Sequence, residues 1–278
     1  MQHLNLVFPQ WQGNTEESPL YGALEFMGLY LCGLPIRLAE VSESCCLSKE
    51  AGIIARREIV HQLNSCFALL KESNPETVFT LGGGCDAGLT AAAYLNAKYE
   101  GNLCMVWFDA HADLNTPESS PSGMFCGMPL RVLVGEGDAE IVNMLSKAFQ
   151  PAQLVLAGVR TTDKSETDFI SAHSIPVISK AELEQGAEEL LEAVKKTGCD
   201  NVYIHIDLDV LDPGIFPATR FTEPGGISPE ALLTQVNALN EKFSMKGLGI
   251  FEYAPSDGKF YPWLAQLVKL GSSLGLKG

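Results

Sequence analysis

Two short segments of this chain carry acidic residues at a spacing of two. Asp109, His111 and Asp113 stand in DAHADLNT at 109–116, and Asp207 and Asp209 stand in HIDLDVLDP at 205–213. Each segment follows an apolar run, 103–108 and 201–206, that reads as a buried strand. If extended geometry continues past Phe108, the three side chains of the first segment share one face. Four carboxylates and an imidazole gathered at two strand ends would repel one another and raise each other's pKa unless cations neutralise them. A pair of divalent ions does this directly. Oxygen-rich ligands with one nitrogen suit Mn²⁺ better than a metal that prefers soft donors. Such a pair can hold a bridging hydroxide as a nucleophile. The plainer reading makes these acids turn and cap residues. That reading suffices for a lone D-x-D and accounts poorly for two runs, each after a buried strand.

The elements that must position these residues alternate along the chain. Strands are predicted at 4–8, 77–81, 103–108, 155–159, 176–178, 201–206 and 247–251, the second stopped by Gly82, Gly83 and Gly84. Helices are predicted at 48–72 with Ser48 as cap, at 86–99, from Ser179 to about residue 196, at 229–240 with Ser228 as cap, and at 261–270. Glu182 stands three residues after Ser179, the capping-box spacing. Strands alternating with helices imply right-handed crossovers and a three-layer αβα arrangement with a mostly parallel central sheet. No repeat or Pro/Gly/Ser linker divides the chain, so one domain is expected over 1–278. In such sheets ligands bind beyond the carboxyl ends of the strands, where both acidic segments fall.

Composition narrows the function classes. Hydrophobic residues make up 46% of the 278 and charged residues 19%, enough apolar material for a large core and against wholesale disorder. Acidic residues number 34 against 19 lysines and arginines, a formal charge of −15. That balance argues against nucleic acid as a partner and fits a cationic substrate, although an acidic surface alone would account for it. The start, MQHLNLVFPQ, lacks a basic segment followed by a long apolar run, and no apolar stretch reaches ~18 residues, so neither a signal peptide nor a membrane span is expected. The eight cysteines include no C-x-x-C pair, and a reducing, cytoplasmic setting is expected.

The motifs LGGGC at 81–85, DAHADLNT at 109–116, SGMFCGMP at 122–129, AGVR at 157–160, HIDLDVLDPGIFPAT at 205–219, EPGGIS at 223–228 and FEYAP at 251–255 resemble the ureohydrolases: arginase, agmatinase, formimidoylglutamase and their relatives. The resemblance covers nearly the whole chain. It implies an arginase-like fold and two Mn²⁺ ions whose hydroxide attacks the central carbon of a guanidinium or amidine, releasing urea or a small amide and leaving an amine. By the same resemblance Asp109 and Asp207 would bridge the ions. His111 and Asp209 would complete one coordination sphere, and Asp113 would serve the other. Glu252 would pair with the substrate cation, for which a bidentate carboxylate is well suited. Asn115 and Ser122 would contact an α-carboxylate and Asp163 an amine. The resemblance also implies a homo-oligomer.

Several positions depart from the family pattern. Cys85 stands where the remaining histidine ligand of the Asp113 ion is usual. As a thiolate it would favour zinc or iron; otherwise it would lie unliganded beside a one-metal site. Cys126 replaces a loop histidine that shuttles a proton. It would relay a proton as a thiol, act as a nucleophile, or leave the shuttle missing. Met124 replaces an asparagine, His205 stands where serine is usual, and Arg220 replaces a glycine. Arg220 would bind an anionic end of the substrate or pair with Glu223. Together these changes argue against strict L-arginine specificity. The expected function is hydrolysis of a linear guanidino or amidino compound, agmatine among them. The alternative is an impaired or altered relative that binds metal or regulates.

Overall fold

The structure, a computed structural model, describes residues 2–44 and 46–275. Among the described residues ten strands occur in chain order: β1 (His3–Phe8), β2 (Arg37–Leu38), β3 (Lys49–Glu50), β4 (Ile53–Ile54), β5 (Thr77–Gly82), β6 (Leu103–Phe108), β7 (Leu154–Ala157), β8 (Val177–Ile178), β9 (Asn201–Asp207) and β10 (Ser244–Phe251). Eight of them form one sheet in the order β2-β1-β5-β10-β9-β6-β7-β8, every pairing parallel. The remaining two, β3 and β4, form a small antiparallel hairpin. Helices cover both faces, as a parallel sheet requires. Phe26, Val106, Ile204 and Leu264 belong to one core layer, and Leu63, Met105, Trp107 and Phe125 to the other. The three-layer αβα expectation with a mostly parallel sheet therefore holds.

The four strands β5, β10, β9 and β6 lie side by side at the centre of the sheet. Both faces of these strands are covered, so β6 is a continuous apolar run and β5 and β6 are buried at every position. Cys85, Glu252, Asp207 and Asp109 follow or close these four strands, so adjacent carboxyl ends deliver them to one place.

Local details differ from the sequence-based expectations. The long helix begins at Arg56, not at Ser48, because 49–54 fold back as the β3–β4 hairpin; Ser48 instead supplies a carbonyl to the Ala55 N–H. The helix after Ser179 breaks at Gly186, whose φ is +153°, into Lys180–Gln185 and Glu188–Lys196. The Ser179–Glu182 capping box and the Ser228 cap form as expected. Helices at Ser18–Tyr30 and Lys164–His173 carried no strong periodic signal and were not expected. Cys45 lies outside the described residues; the other seven cysteines are free thiols.

Candidate active site and metal centre

Extended geometry does not continue past Phe108. The chain turns after β6, and Asp113 adopts a left-handed backbone with φ of +52°, which few non-glycine residues do. Turns, not strand alternation, bring the acids together. Asp109 Oδ1 accepts the His111 N–H at 2.6 Å. Similarly, a 3₁₀ turn at Leu208–Val210 follows β9, and the Asp209 N–H donates to Asp207 Oδ1 at 2.7 Å. The two segments join where the Ala110 N–H donates to Asp209 Oδ1 at 2.8 Å and His111 Nδ1 stands 2.8 Å from Asp209 Oδ2. Asp109, His111 and Asp209 thus form one compact set able to hold an ion.

A second cluster centres on Cys85. Its Sγ lies 3.0 Å from Asp207 Oδ2, 3.8 Å from Asp109 Oδ2 and 3.2 Å from His205 Nε2. Cys85, Asp109 and His205 form one further compact set, and Cys85, Asp207 and Glu252 another. Glu252, itself left-handed at φ +61°, accepts from the Cys85 N–H at 3.0 Å and from Asn14 Nδ2 at 2.6 Å. These two bonds aim the carboxylate and leave it further lone pairs. Asp113 and Cys126 belong to none of the compact sets, although both line the same cavity.

Asp109, Asp113, Asp207, Asp209 and Glu252 are each at most 6% exposed. Among the described residues no lysine or arginine pairs with any of them; their one charged partner is His111. Burial first, and mutual repulsion second, push Asp109, Asp113 and Asp207 far above the usual carboxylate range. Glu252 rises likewise to about 8, again mainly by burial. For His111, burial alone would lower the pKa; the Asp109 and Asp209 carboxylates outweigh it and hold the ring cationic. Asp113 Oδ2 is buried with no hydrogen-bond partner. Unpaired buried carboxylates in this number have the donor chemistry that divalent cations require, so the residues fit a binuclear metal centre.

The cavity above these groups has a volume of about 200 Å³ and is lined by Cys85, His111, Asp113, Cys126, Asp207 and Glu252 within, and by Asn115, Ser122, Met124, Asp163 and Phe221 further out. Its lining includes the acids Asp113, Asp163, Glu166, Asp207 and Glu252 and no lysine or arginine. Asp163 caps the helix Lys164–His173 and accepts from Asn115 Nδ2 at 2.8 Å, so both outer groups hold a fixed orientation. Ser122 Oγ accepts the Met124 N–H at 3.1 Å. Cys126 is buried among the acids, and that burial, followed by the charge of Glu252, pushes its thiol well above the usual range.

Arg220 does not form the pair with Glu223 that was one of its two expected roles. It pairs with Glu16, not Glu223, and its guanidinium lies 4.5 Å from the Phe221 ring centre; Phe221, rather than Arg220, lines the cavity. Glu223 instead approaches His111 Nε2 at 3.8 Å.

Three participants were not identified as site residues from the sequence. Asn14 orients Glu252 from a 3₁₀ turn distant in the chain, and nothing local marks it. Arg160, within AGVR, donates to the Asp209 and Glu223 carbonyls at 2.7 Å each and to Pro224 O at 3.1 Å, tying together the loops behind Asp209. His205 stands two residues before Asp207 on the same strand face, a periodicity that the sequence does display.

The model of the family described as "Arginase family" matches residues 41–259. An arginase of Staphylococcus aureus strain MRSA252 is 32% identical over 203 residues, covering 71% of this chain and 67% of that protein. An arginase of Bacillus subtilis strain 168 is 38% identical over 137 residues, covering 48% of this chain and 46% of that one. Among solved structures, Entamoeba histolytica arginase in complex with L-ornithine superposes with a TM-score of 0.86 at 23% identity, covering 99% of this chain and 98% of that one. Formimidoylglutamase from Bacillus subtilis superposes with a TM-score of 0.72 at 19% identity, covering 98% and 85%. At these identities the two superpositions speak to the fold.

Proposed function

We propose, from the premise that this chain belongs to the arginase family of hydrolases, that it is a metal-dependent enzyme cleaving a C–N bond of a small linear guanidino or amidino cation. The observation that carries the reading is the convergence of five buried carboxylates from three adjacent strand ends with only His111 to balance them. Asp109, His111 and Asp209 would hold one divalent ion, and Asp207, Cys85 and Asp113 would serve a second, with Asp109 and Asp207 between them. When bound, such a pair neutralises the carboxylates and supplies a water acidified enough to react near neutral pH.

The chain's own groups bind and orient the substrate. Glu252, fixed by Asn14 and the Cys85 N–H, presents its carboxylate to the planar cation. An acidic lining without lysine or arginine favours a substrate that is cationic along its length, such as agmatine, over one needing an anchor for a carboxylate. Asp163 would meet the distal amine, with Asn115 and Ser122 beside it. Cys126 would pass the proton to the leaving amine. Its thiol, held protonated by burial and then by the surrounding acids, is a weaker relay than an imidazole, and that observation favours the second reading, a slow or non-catalytic relative. We propose the whole chain as one working unit that self-associates.

The test is metal content together with a screen for urea, ammonia and formamide release over guanidino and formimino compounds. Metal retained by wild type and lost from the Asp109→Ala, Asp207→Ala double variant is the expected result. Equal metal in both would overturn the reading. Release from agmatine in preference to arginine supports the substrate proposal, and the reverse order refutes it.

A further inference from the structure

We propose that His205 is a metal ligand: it supplies, from the floor of the site, the imidazole that position 85 lacks, so that Cys85 and His205 together make one of the two positions selective for a thiophilic divalent cation of the zinc class. The proposal rests on the metal-centre reading above and deepens it.

Strand register explains how the ring gets there. Trp107, His205, Gly249 and Thr80 form one row across β6, β9, β10 and β5. Trp107 stacks on one face of the imidazole at 3.4 Å between centroids and 6° between planes. Gly249 has no side chain, and a Cβ there would meet the Phe251 ring at 2.4 Å. The gap therefore lets Phe251, two residues on, lean back over His205 and stack on its other face at 4.2 Å and 13°. A Cβ at Gly88 would lie 3.0 Å from His205 Nδ1 and 2.7 Å from Phe251, so a second glycine keeps the slot open. Two flat rings and two glycines fix the imidazole in one plane, with Nε2 directed at Cys85 Sγ at 3.2 Å.

The ring makes little sense as ordinary core. It is completely buried, Nδ1 has no hydrogen-bond partner, and the Nε2 neighbour is a weakly hydrogen-bonding thiol. An imidazole that forgoes one hydrogen bond is accounted for if its other nitrogen makes a stronger bond than a thiol offers. The spacing fits. A tetrahedral zinc with bonds of about 2.3 Å to sulfur and 2.0 Å to nitrogen holds those donors roughly 3.5 Å apart. Around Cys85 Sγ the separations are 3.2 Å to His205 Nε2, 3.0 Å to Asp207 and 3.8 Å to Asp109. Cys85, His205 and Asp109 satisfy one another's reach, while Asp207 meets Cys85 in a separate set with Glu252. Sulfur, nitrogen and a carboxylate form a zinc-type donor set, whereas the Asp109, His111 and Asp209 set remains oxygen-rich and suited to Mn²⁺.

The test uses the metal-free full chain titrated with Co²⁺ and Zn²⁺, comparing wild type with Cys85→Ser and His205→Phe; the phenylalanine retains an aromatic ring between Trp107 and Phe251. The expected result has three parts: a near-ultraviolet thiolate-to-cobalt band in wild type, its loss in Cys85→Ser, and zinc affinity at that position weakened at least about tenfold in His205→Phe. His205→Gln, which places an oxygen near the old Nε2, should recover part of that affinity and separates ligand loss from misfolding. Cobalt binding without a thiolate band, or a band with zinc affinity unchanged in both His205 variants, overturns the inference while leaving the carboxylate centre standing. No binding of either ion overturns the metal-centre reading and the inference with it.

Discussion

Asp86, the buried acid next to Cys85 in the chain, offers a quantitative test of how the surroundings of the site store charge. Its side chain is completely buried and neither carboxylate oxygen has a hydrogen-bond partner. Burial, the dominant cause, pushes its pKa from 3.8 to about 7. In the unfolded chain the group ionises near its ordinary value, so between about pH 4 and 7 the folded state binds the extra proton. Stability must then fall as pH rises through this window, by roughly 1.4 kcal/mol per pH unit, and level off above pH 7. The summed effect is on the order of 4 kcal/mol. The isosteric change Asp86→Asn removes the titration and leaves a neutral amide that is itself short of partners, at a cost of about 1–3 kcal/mol. Above pH 8 the variant should therefore be more stable than wild type by roughly 1–3 kcal/mol, and at pH 4.5 equal or less stable. With an unfolding entropy of about 2.1 cal/mol/K per residue, the alkaline gain in a chain of 278 residues is about 2–5 °C in Tm. The assay is urea or thermal unfolding of both proteins, equally metal-loaded, from pH 4.5 to 8.5. Parallel stability curves for the two would refute the reasoning, because they would mean that Asp86 ionises alike in folded and unfolded chains.

Other perturbations test separate parts of the site. Cys126→His should raise urea release at neutral pH at least about tenfold if proton transfer limits the rate; an unchanged kcat would show that it does not. Gly88→Ala should destabilise the fold by about 1–3 kcal/mol, since the new Cβ would sit 2.7 Å from a Phe251 ring that is itself held against His205; a rise in Tm would contradict that packing. Arg160→Ala should weaken metal binding about tenfold or more, read by competition with a chelator, because three carbonyls behind Asp209 lose their donor. Arg220→Ala should leave KM within about twofold, since its charge is spent on Glu16 outside the cavity.

The positions of the acids along the chain were legible, but the geometry that joins them was not. The continuous apolar run at 103–108 and the strand pattern at 77–81, stopped by three glycines, identify buried parallel strands, and carboxyl ends of such strands identify the site. The sequence offered strand alternation as the way Asp109, His111 and Asp113 would meet. The chain instead turns, with the His111 and Asp209 amides bonded back to Asp109 and Asp207. Spacing by two serves a tight turn as well as a strand, so the pattern predicted a meeting without its form. The hairpin at 49–54 was illegible for a different reason. Its two-residue strands carry no periodicity long enough to compete with the helical pattern that begins just after it.

His205 shows what a sequence reading misses when it weighs positions singly. The alternation His205-x-Asp207 was present, yet the imidazole matters only through groups delivered by other strands: Trp107 from β6, Phe251 folded over Gly249 from β10, and Cys85 from the turn after β5. A cysteine at 85 considered alone is a lost nitrogen, and a histidine at 205 considered alone is a buried oddity. At 3.2 Å they become one exchange of donors relative to the family pattern, in which the nitrogen stands on β9, two strands from β5, while sulfur takes its usual place. That exchange separates the two departures in the inner site. Cys85 has a structural counterpart that conserves the number of neutral nitrogen donors, and Cys126, absent from every compact ligand set, has none. A loss of function at position 126 would thus leave metal binding intact, whereas the inner pair should be silent in proton transfer and decisive for which metal is held.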